Sequence, residues 1–362
     1  MAESIDALFL QYLTFFPVQD LRRMVERAGG KKAFRALPPS DMFSLDVEVN
    51  LSQIEQFEAA RNERFLAGEQ EKMAALGIRY LPEEEPDFPE KLRGIPDPPF
   101  GIFVRGTLPD PGEKAAAIVG ARNCSGYGRE SAFFFGRELA SAGVNVISGM
   151  ALGIDGYAGR GALQKEGRSF AVLGGGVDLC YPSSNVDLYS GLVSSGGIIS
   201  ERPPGYHARP ADFPLRNRII SGLSDVVLVI QATEHSGSLI TVNHAIAQGK
   251  DIFALPGRID DPLSYSCNAL IRSGALILTC TEDVLQALSI SRGGETMKEK
   301  PVYLDKEEEV VFSCMKKGAH TPDELIEMSG FPFSEIVGIL LKLEMKGVIT
   351  RNGAGGYVPK KA

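Results

Sequence analysis

The chain has 362 residues, more than one compact domain of ordinary size holds, and its 44% hydrophobic and 23% charged residues exclude a disordered or fibrous protein. No segment approaches the roughly 18 uninterrupted apolar residues of a membrane span, and the opening MAESIDALFLQYLTFF lacks the basic leader of a signal peptide, so a cytoplasmic location is expected. The net charge of −8 excludes a globally basic surface but not a local one: residues 1–110 hold 13 Lys/Arg against 19 Asp/Glu, whereas residues 111–280 hold 14 of each.

Apolar residues recur at helical spacing in Ile5–Phe15, Leu21–Val25 and Ile54–Leu66, which predicts an N-terminal helical domain over 1–75. A Pro-rich connector, Pro82 to Pro111, carries the acidic run Glu83–Glu85 and a strand-like Gly101–Val104. Short apolar runs then alternate with helix-length segments. The runs are Ala116–Val119, Val144–Ser148, Phe170–Leu173, Gly197–Ser200, Val226–Gln231, Ile252–Leu255 and Leu276–Thr279, with helices expected over Gly128–Ala142 and Leu239–Gln248. This alternation predicts an α/β core over 76–290: a Rossmann-like, mostly parallel sheet with helices on both faces and its ligand site at the carboxyl ends of the strands. A polar linker over 291–304 contains Gly293–Gly294. Helices at Lys306–Met315, Pro322–Met328 and Ser334–Met345, the last with Ser334 as N-cap, precede strands Val348–Thr350 and Tyr357–Val358 around the Gly-rich turn Asn352–Gly356; that is a winged-helix pattern over 305–362. Five scattered cysteines without a CxxC pair predict reduced, mostly buried thiols. With only four histidines, no metal site is expected.

Four glycine-rich turns follow strands of the core: Val119-Gly120-Ala121-Arg122, Ser148-Gly149-Met150-Ala151, Leu173-Gly174-Gly175-Gly176 and Glu234-His235-Ser236-Gly237. One such turn alone reads as tight packing. Four on one sheet edge make a ledge that accepts anions, because helix N-termini present free N–H groups and partial positive charge. The spacing is not GxGxxG, and the strand Val144–Ser148 does not end in the acid that would hold a ribose, so no dinucleotide or other cofactor is expected. Arg122 is a candidate phosphate contact. A fifth element is Phe213-Pro214-Leu215-Arg216-Asn217-Arg218. On a helix, Arg216 and Arg218 point about 200° apart, so one pairs with a carboxylate while the other meets phosphate; if the segment starts as a loop, both face the ligand. Phe213 is either core or a base-stacking platform. Lys250 is either a surface charge or a phosphate contact at the opposite strand end, which a long polymer reaches more readily than a nucleotide.

Taken in order, these segments resemble the DprA/Smf (DNA-processing protein A) family over roughly residues 80–280. The resemblance is carried by Ile118-Val119-Gly120-Ala121-Arg122, Ser148-Gly149-Met150-Ala151-Leu152-Gly153-Ile154-Asp155, Gly174-Gly175-Gly176-Val177-Asp178 with Tyr181-Pro182, Phe213 to Leu223, Ser236-Gly237-Ser238-Leu239-Ile240-Thr241 and Leu255-Pro256-Gly257. It implies a homodimeric single-stranded-DNA-binding protein without catalytic chemistry, which protects incoming DNA during natural transformation and helps load the RecA recombinase. It also implies a helix-hairpin-helix-like or SAM-like N-terminal domain. The family's DNA pocket maps onto Gly120, Arg122, Phe213, Arg216, Arg218 and Lys250, and Gly149, Asn217, Ser236 and Gly237, from the glycine-rich turns and the Phe213 segment, complete the expected DNA-binding set. Two positions depart from the family pattern: Gly159, where His is usual, and Ser266, where Gly is usual.

Two other classes compete. A nucleotide-processing enzyme resembling the lysine-decarboxylase-like phosphoribohydrolases needs a glutamate after its glycine turn, but here Ser236–Thr241 leads to Asn243. Asp155 and Asp178 remain as acids, each also readable as a helix N-cap. A pure adaptor would work through the winged helix, whose third helix sets Glu335 and Glu344 beside Lys342 and Lys346, a weakly basic face for a major groove.

Overall fold

The computed structural model describes residues 2–45, 49–164, 167–290, 304–316, 318, 320–346, 348–351 and 356–359. The predicted linker over 291–304 lies outside these except for its last residue, and so does most of the turn between the last two strands. The chain forms two compact units, Met1–Ser291 and Arg292–Ala362.

The first unit opens with helices α1 (Ala2–Gln11), α2 (Val18–Arg27), α3 (Lys31–Arg35), α4 (Leu51–Ala60) and α5 (Glu63–Ala75). The periodic segment Ile54–Leu66, expected as one helix, is two. Asn62 adopts extended backbone and its side chain accepts the Phe65 N–H, which starts a new helix and ends the old one. Phe9, Phe34 and Phe57 meet edge-on or tilted and join one apolar core with Met150, Leu173 and Ile198 of the sheet region, so the N-terminal helices and the sheet share a core.

The remaining elements of this unit are β1 (Ile78–Pro82), α6 (Glu90–Arg93), β2 (Gly101–Gly106), β3 (Ala115–Val119), α7 (Gly126–Ser141), β4 (Asn145–Ser148), α8 (Ile154–Ala162), β5 (Ser169–Leu173), α9 (Val186–Ser195), β6 (Gly196–Ser200), α10 (Asp212–Leu223), β7 (Val226–Val229), α11 (Ser238–Ala247), β8 (Asp251–Ala254), α12 (Tyr265–Arg272), β9 (Leu276–Ile277) and α13 (Thr281–Ala287). They build one nine-stranded sheet in the order β1-β2-β6-β5-β4-β3-β7-β8-β9. The seven strands from β6 to β9 run parallel, while β2 pairs antiparallel with both β6 and β1. Every residue of β3, β4, β5 and β6 is buried, as expected for strands covered on both faces. From β3 the chain winds outward to β6, then crosses back to β7 on the other side of β3. The crevice between the carboxyl ends of β3 and β7 is therefore a topological switch point, where sheets of this kind bind ligands.

The second unit contains α14 (Lys306–Lys316), α15 (Pro322–Ser329), α16 (Phe333–Met345) and an antiparallel pair, β10 (Ile349–Arg351) with β11 (Tyr357–Pro359), around its own apolar core. Ser334 is not the N-cap of α16. Pro332 holds that position with extended backbone, which places Ser334 inside the first turn. Thr321 caps α15 in a reciprocal box with Glu324. Among the described residues no helix is long and apolar enough to cross a membrane. All five cysteines are free thiols; Cys267 and Cys314 are buried, whereas Cys124, Cys180 and Cys280 are partly exposed, so fewer are buried than expected.

Candidate functional site

A cleft of about 660 Å³ opens at the switch point. The turns after β3, β4 and β7 line it together with the first turns of α10, and an adjoining hollow of about 300 Å³ extends it over Gly174 and Gly175 after β5. All four glycine-rich turns therefore lie on one edge. Helices α7, α8 and α11 start from this edge, with their positive ends beside the cleft.

The turn after β3 is fixed from below. Gln231, 1% exposed at the end of β7, accepts the Ser125 N–H at 3.0 Å and donates to the Ser125 hydroxyl at 2.8 Å. Its backbone carbonyl accepts the Ala121 N–H at 2.7 Å. A side chain on Gly120 would come within 2.8 Å of that carbonyl and 2.7 Å of Ile154, so only glycine lets the two strand ends approach this closely. Arg122 projects from this turn into solvent, its guanidinium 5.5 Å over the ring of the half-buried Phe213.

Phe213, Arg216 and Asn217 come from the start of α10. Phe213 packs against Tyr181, ring centroids 5.7 Å apart and 34° between planes, and Tyr181 remains largely exposed. Arg216 is buried beneath the cleft, where it donates to the carbonyls of Gly149, at 3.2 Å, and Val172. Burial lowers its pKa to about 10, and nearby Arg122 pushes in the same direction. The buried Asp155 carboxylate accepts the Gly149 N–H at 2.9 Å; burial raises its pKa, opposed mainly by the charge of Arg216. Asn217 reaches across to the carbonyl of Gly237 at 3.4 Å, and the hydroxyls of Ser236 and Ser238 are 2.8 Å apart beside it.

Eight of the ten expected residues thus line one continuous surface: Gly120, Arg122, Gly149, Phe213, Arg216, Asn217, Ser236 and Gly237. Two do not join it. Arg218 turns to the opposite side of α10, where its guanidinium, 4% exposed, lies 2.8 Å from Glu201 and donates to the carbonyl of Asp97 at 2.8 Å. The helical reading of the segment therefore holds, and Arg218 is the arginine paired with carboxylate. Lys250 precedes β8, at the amino ends of the strands, half-buried near Asp225; burial lowers the pKa of its ammonium group. Neither aspartate caps its own helix: Asp155 binds the preceding turn, and Asp178 accepts the Gly205 N–H at 2.8 Å. Tyr181 is the cleft residue that residue patterns missed. An aromatic in the loop after β5 carries no periodic signal, and only the loop's return onto Phe213 reveals it.

Both departures from the family pattern are accommodated. Gly159 is buried in α8, where a Cβ would stand 3.2 Å from the side chain of Leu188, so a larger side chain requires Leu188 to move. The buried Ser266 donates its hydroxyl to the carbonyl of Thr233 at 2.8 Å, which braces the turn after β7 with a bond that glycine cannot make.

Comparison with known proteins matches residues 79–289 to the family described as DNA recombination-mediator protein A, and residues 295–355 to a DprA winged helix domain. Protein Smf of Escherichia coli K12 is 38% identical over 288 residues, covering 77% of this chain and 76% of that protein. The DNA processing protein DprA of Bacillus subtilis 168 is 37% identical over 239 residues, covering 66% and 78% respectively. Among solved structures, DNA processing protein A of Streptococcus pneumoniae superimposes with a TM-score of 0.67 at 31% identity, over 78% of this chain and 97% of that one. DNA processing protein A of Helicobacter pylori, described for its single-stranded DNA binding mode, does so with a TM-score of 0.52 at 28% identity, over 58% and 96%.

Proposed function

This chain belongs to the DprA/Smf family of DNA recombination mediators, and we propose from that premise that it binds single-stranded DNA in the cleft at the carboxyl edge of its sheet. The observation that carries the reading is the pairing of Arg122 with Phe213. An exposed guanidinium that makes no salt bridge among the described residues lies over a half-buried aromatic ring, flanked by helix N-termini. That combination offers a phosphate contact beside a stacking face, which is what an unpaired strand requires. The Helicobacter pylori relative is described as binding single-stranded DNA.

In this reading the protein works in the cytosol during natural transformation, shields the incoming strand and passes it to RecA, without turnover. Support for binding without chemistry comes from the two candidate acids, which are both engaged in holding loop N–H groups. The reading includes a homodimer: β9 is the edge strand of the sheet, and its Leu276 and Ile277 are about half exposed, an apolar edge that a second copy would cover. Sedimentation at micromolar concentration tests the dimer. A gel shift comparing single- and double-stranded DNA at two salt levels tests the binding. Tighter binding of the single strand, weakening as salt rises, is the expected result; equal affinity for both forms would count against the cleft as a single-strand site.

A further inference from the structure

Arg218 is expected among the DNA contacts and is instead buried, so its role must be indirect. Its planar guanidinium makes three bonds in different directions. Nη1 donates to the carbonyl of Leu215 at 3.0 Å, Nε to the carbonyl of Asp97 at 2.8 Å, and Nη2 to the Glu201 carboxylate at 2.8 Å. The Leu215 bond holds the first turns of α10, from which Phe213, Arg216 and Asn217 reach the cleft. The other two bonds run to segments on which the N-terminal helices rest. In the amide orientation that satisfies both of its groups, Gln11 of α1 donates to the carbonyl of Glu201 at 2.8 Å and accepts the Gly101 N–H at 3.1 Å. Arg22 of α2 donates to the carbonyl of Pro98, next to Asp97, at 2.8 Å, and lies 4.2 Å over the ring of Phe100.

We propose that Arg218 is a positioning residue for strand binding: through Glu201 and Asp97 it sets the pose of the cleft-facing start of α10 and joins that pose to the N-terminal helices. The proposal rests on the reading of the cleft as a single-stranded-DNA site. Lysine cannot replace Arg218 here, because one ammonium nitrogen does not span three acceptors fixed by a planar fork. The effect passes through bonded neighbours from α2 to α10, a contiguous physical path.

The test measures the affinity of the full-length protein for a fluorescein-labelled oligo-dT by anisotropy, across a salt series. Arg218→Lys is expected to fold and to bind on the order of tenfold more weakly, with the slope of log affinity against log salt unchanged, because no phosphate contact is lost. Arg22→Ala is expected to weaken binding about threefold in the parent protein and to add nothing in the Arg218→Lys background, since both act along one path. Wild-type affinity in folded Arg218→Lys, a reduced salt slope, or additive losses in the double variant would each overturn the proposal. If Arg218→Lys does not fold, Glu201→Gln is judged by the same three criteria. Arg122→Ala is the separate control: if it changes neither affinity nor slope, the cleft reading itself has failed, and the proposal falls with it.

Discussion

At Gly149 a single added methyl group separates a working cleft from a disturbed one. Its Cβ would stand 2.6 Å from Arg216 and 2.8 Å from Asp155, two buried charged groups that share the glycine's backbone as a partner. Gly149→Ala is therefore expected to cost about 1–3 kcal/mol of stability through overpacking, read by urea denaturation, and to weaken DNA binding by displacing Arg216. Arg122 differs in kind, because it is exposed and its loss leaves the fold alone. Arg122→Ala should lower affinity about 10- to 100-fold, equally for poly-T and poly-A, and reduce the salt slope by about 0.7. Lys250→Ala is the contrasting case. Its place at the amino ends of the strands, beside Asp225, predicts an affinity within about twofold of the parent; a loss as large as that at Arg122 would mean that the strand wraps beyond the cleft. The motifs made Arg122 and Arg216 legible in the sequence, and the helical period showed that Arg216 and Arg218 would face apart without telling which of them meets the ligand, so Arg218 stood among the expected contacts. What stayed hidden was the partner. Glu201 and Asp97 lie 17 and 121 positions from Arg218 in the chain, and only the sheet order brings them to it.

Elements set the cleft through two contacts between neighbours. The first is Gln231, which ties the end of β7 to the turn before α7 and fits against Gly128, where a Cβ would lie within 2.1 Å of the amide oxygen. Gln231→Ala leaves the Ser125 N–H without its partner and removes one of the two bonds to the Ser125 hydroxyl, and should cost about 1–3 kcal/mol in denaturant unfolding. The second is the packing of α11 on α10. Half-buried His244 sits near Pro214 and Arg218, and its pKa is lowered chiefly by burial and next by the charge of Arg218. A histidine with a depressed folded pKa contributes stability that is fully present above its unfolded value, about 6.5, and is lost as the pH falls through the folded value. The melting temperature of the parent should therefore drop as pH is lowered from 7 toward 5, and His244→Gln should flatten that drop; an identical pH profile in both proteins would remove His244 as the cause. Elements were legible where period and burial agree. The seven core runs become seven parallel strands; the six from β6 to β8 are buried along almost all of their length and read as unbroken apolar stretches, while the seventh, β9, is an exposed edge. The α4–α5 break was not legible, because Asn62 interrupts a periodic segment without changing its apolar spacing. Nor was β1, whose alternation is spoiled by Leu81 and whose strand character depends on pairing with β2.

Across the whole molecule, the acidic balance is compatible with strand binding because of where the acids are spent. In the N-terminal helices and connector, Glu83 pairs with Arg22 and Lys31, and Asp6 pairs with Arg35, so much of the negative charge is neutralised locally, away from the cleft. Arg122, in contrast, stays exposed at the carboxyl edge of the sheet. The two units are then expected to contribute unequally to binding. The winged unit has its own core and caps, and its α16 exposes Phe333, Val337 and Leu341 at successive four-residue steps. An exposed apolar stripe suits a protein partner better than a phosphate backbone. Deleting residues 292–362 should therefore leave residues 1–291 folded, with single-stranded-DNA affinity within about threefold and the same salt slope, since every phosphate contact argued above lies in the first unit. A smaller slope in the truncated protein would show that the winged unit carries phosphate contacts of its own. A preserved slope together with lost RecA-dependent strand transfer would instead make it the protein-facing end of the molecule, with the strand held entirely by the edge of the sheet.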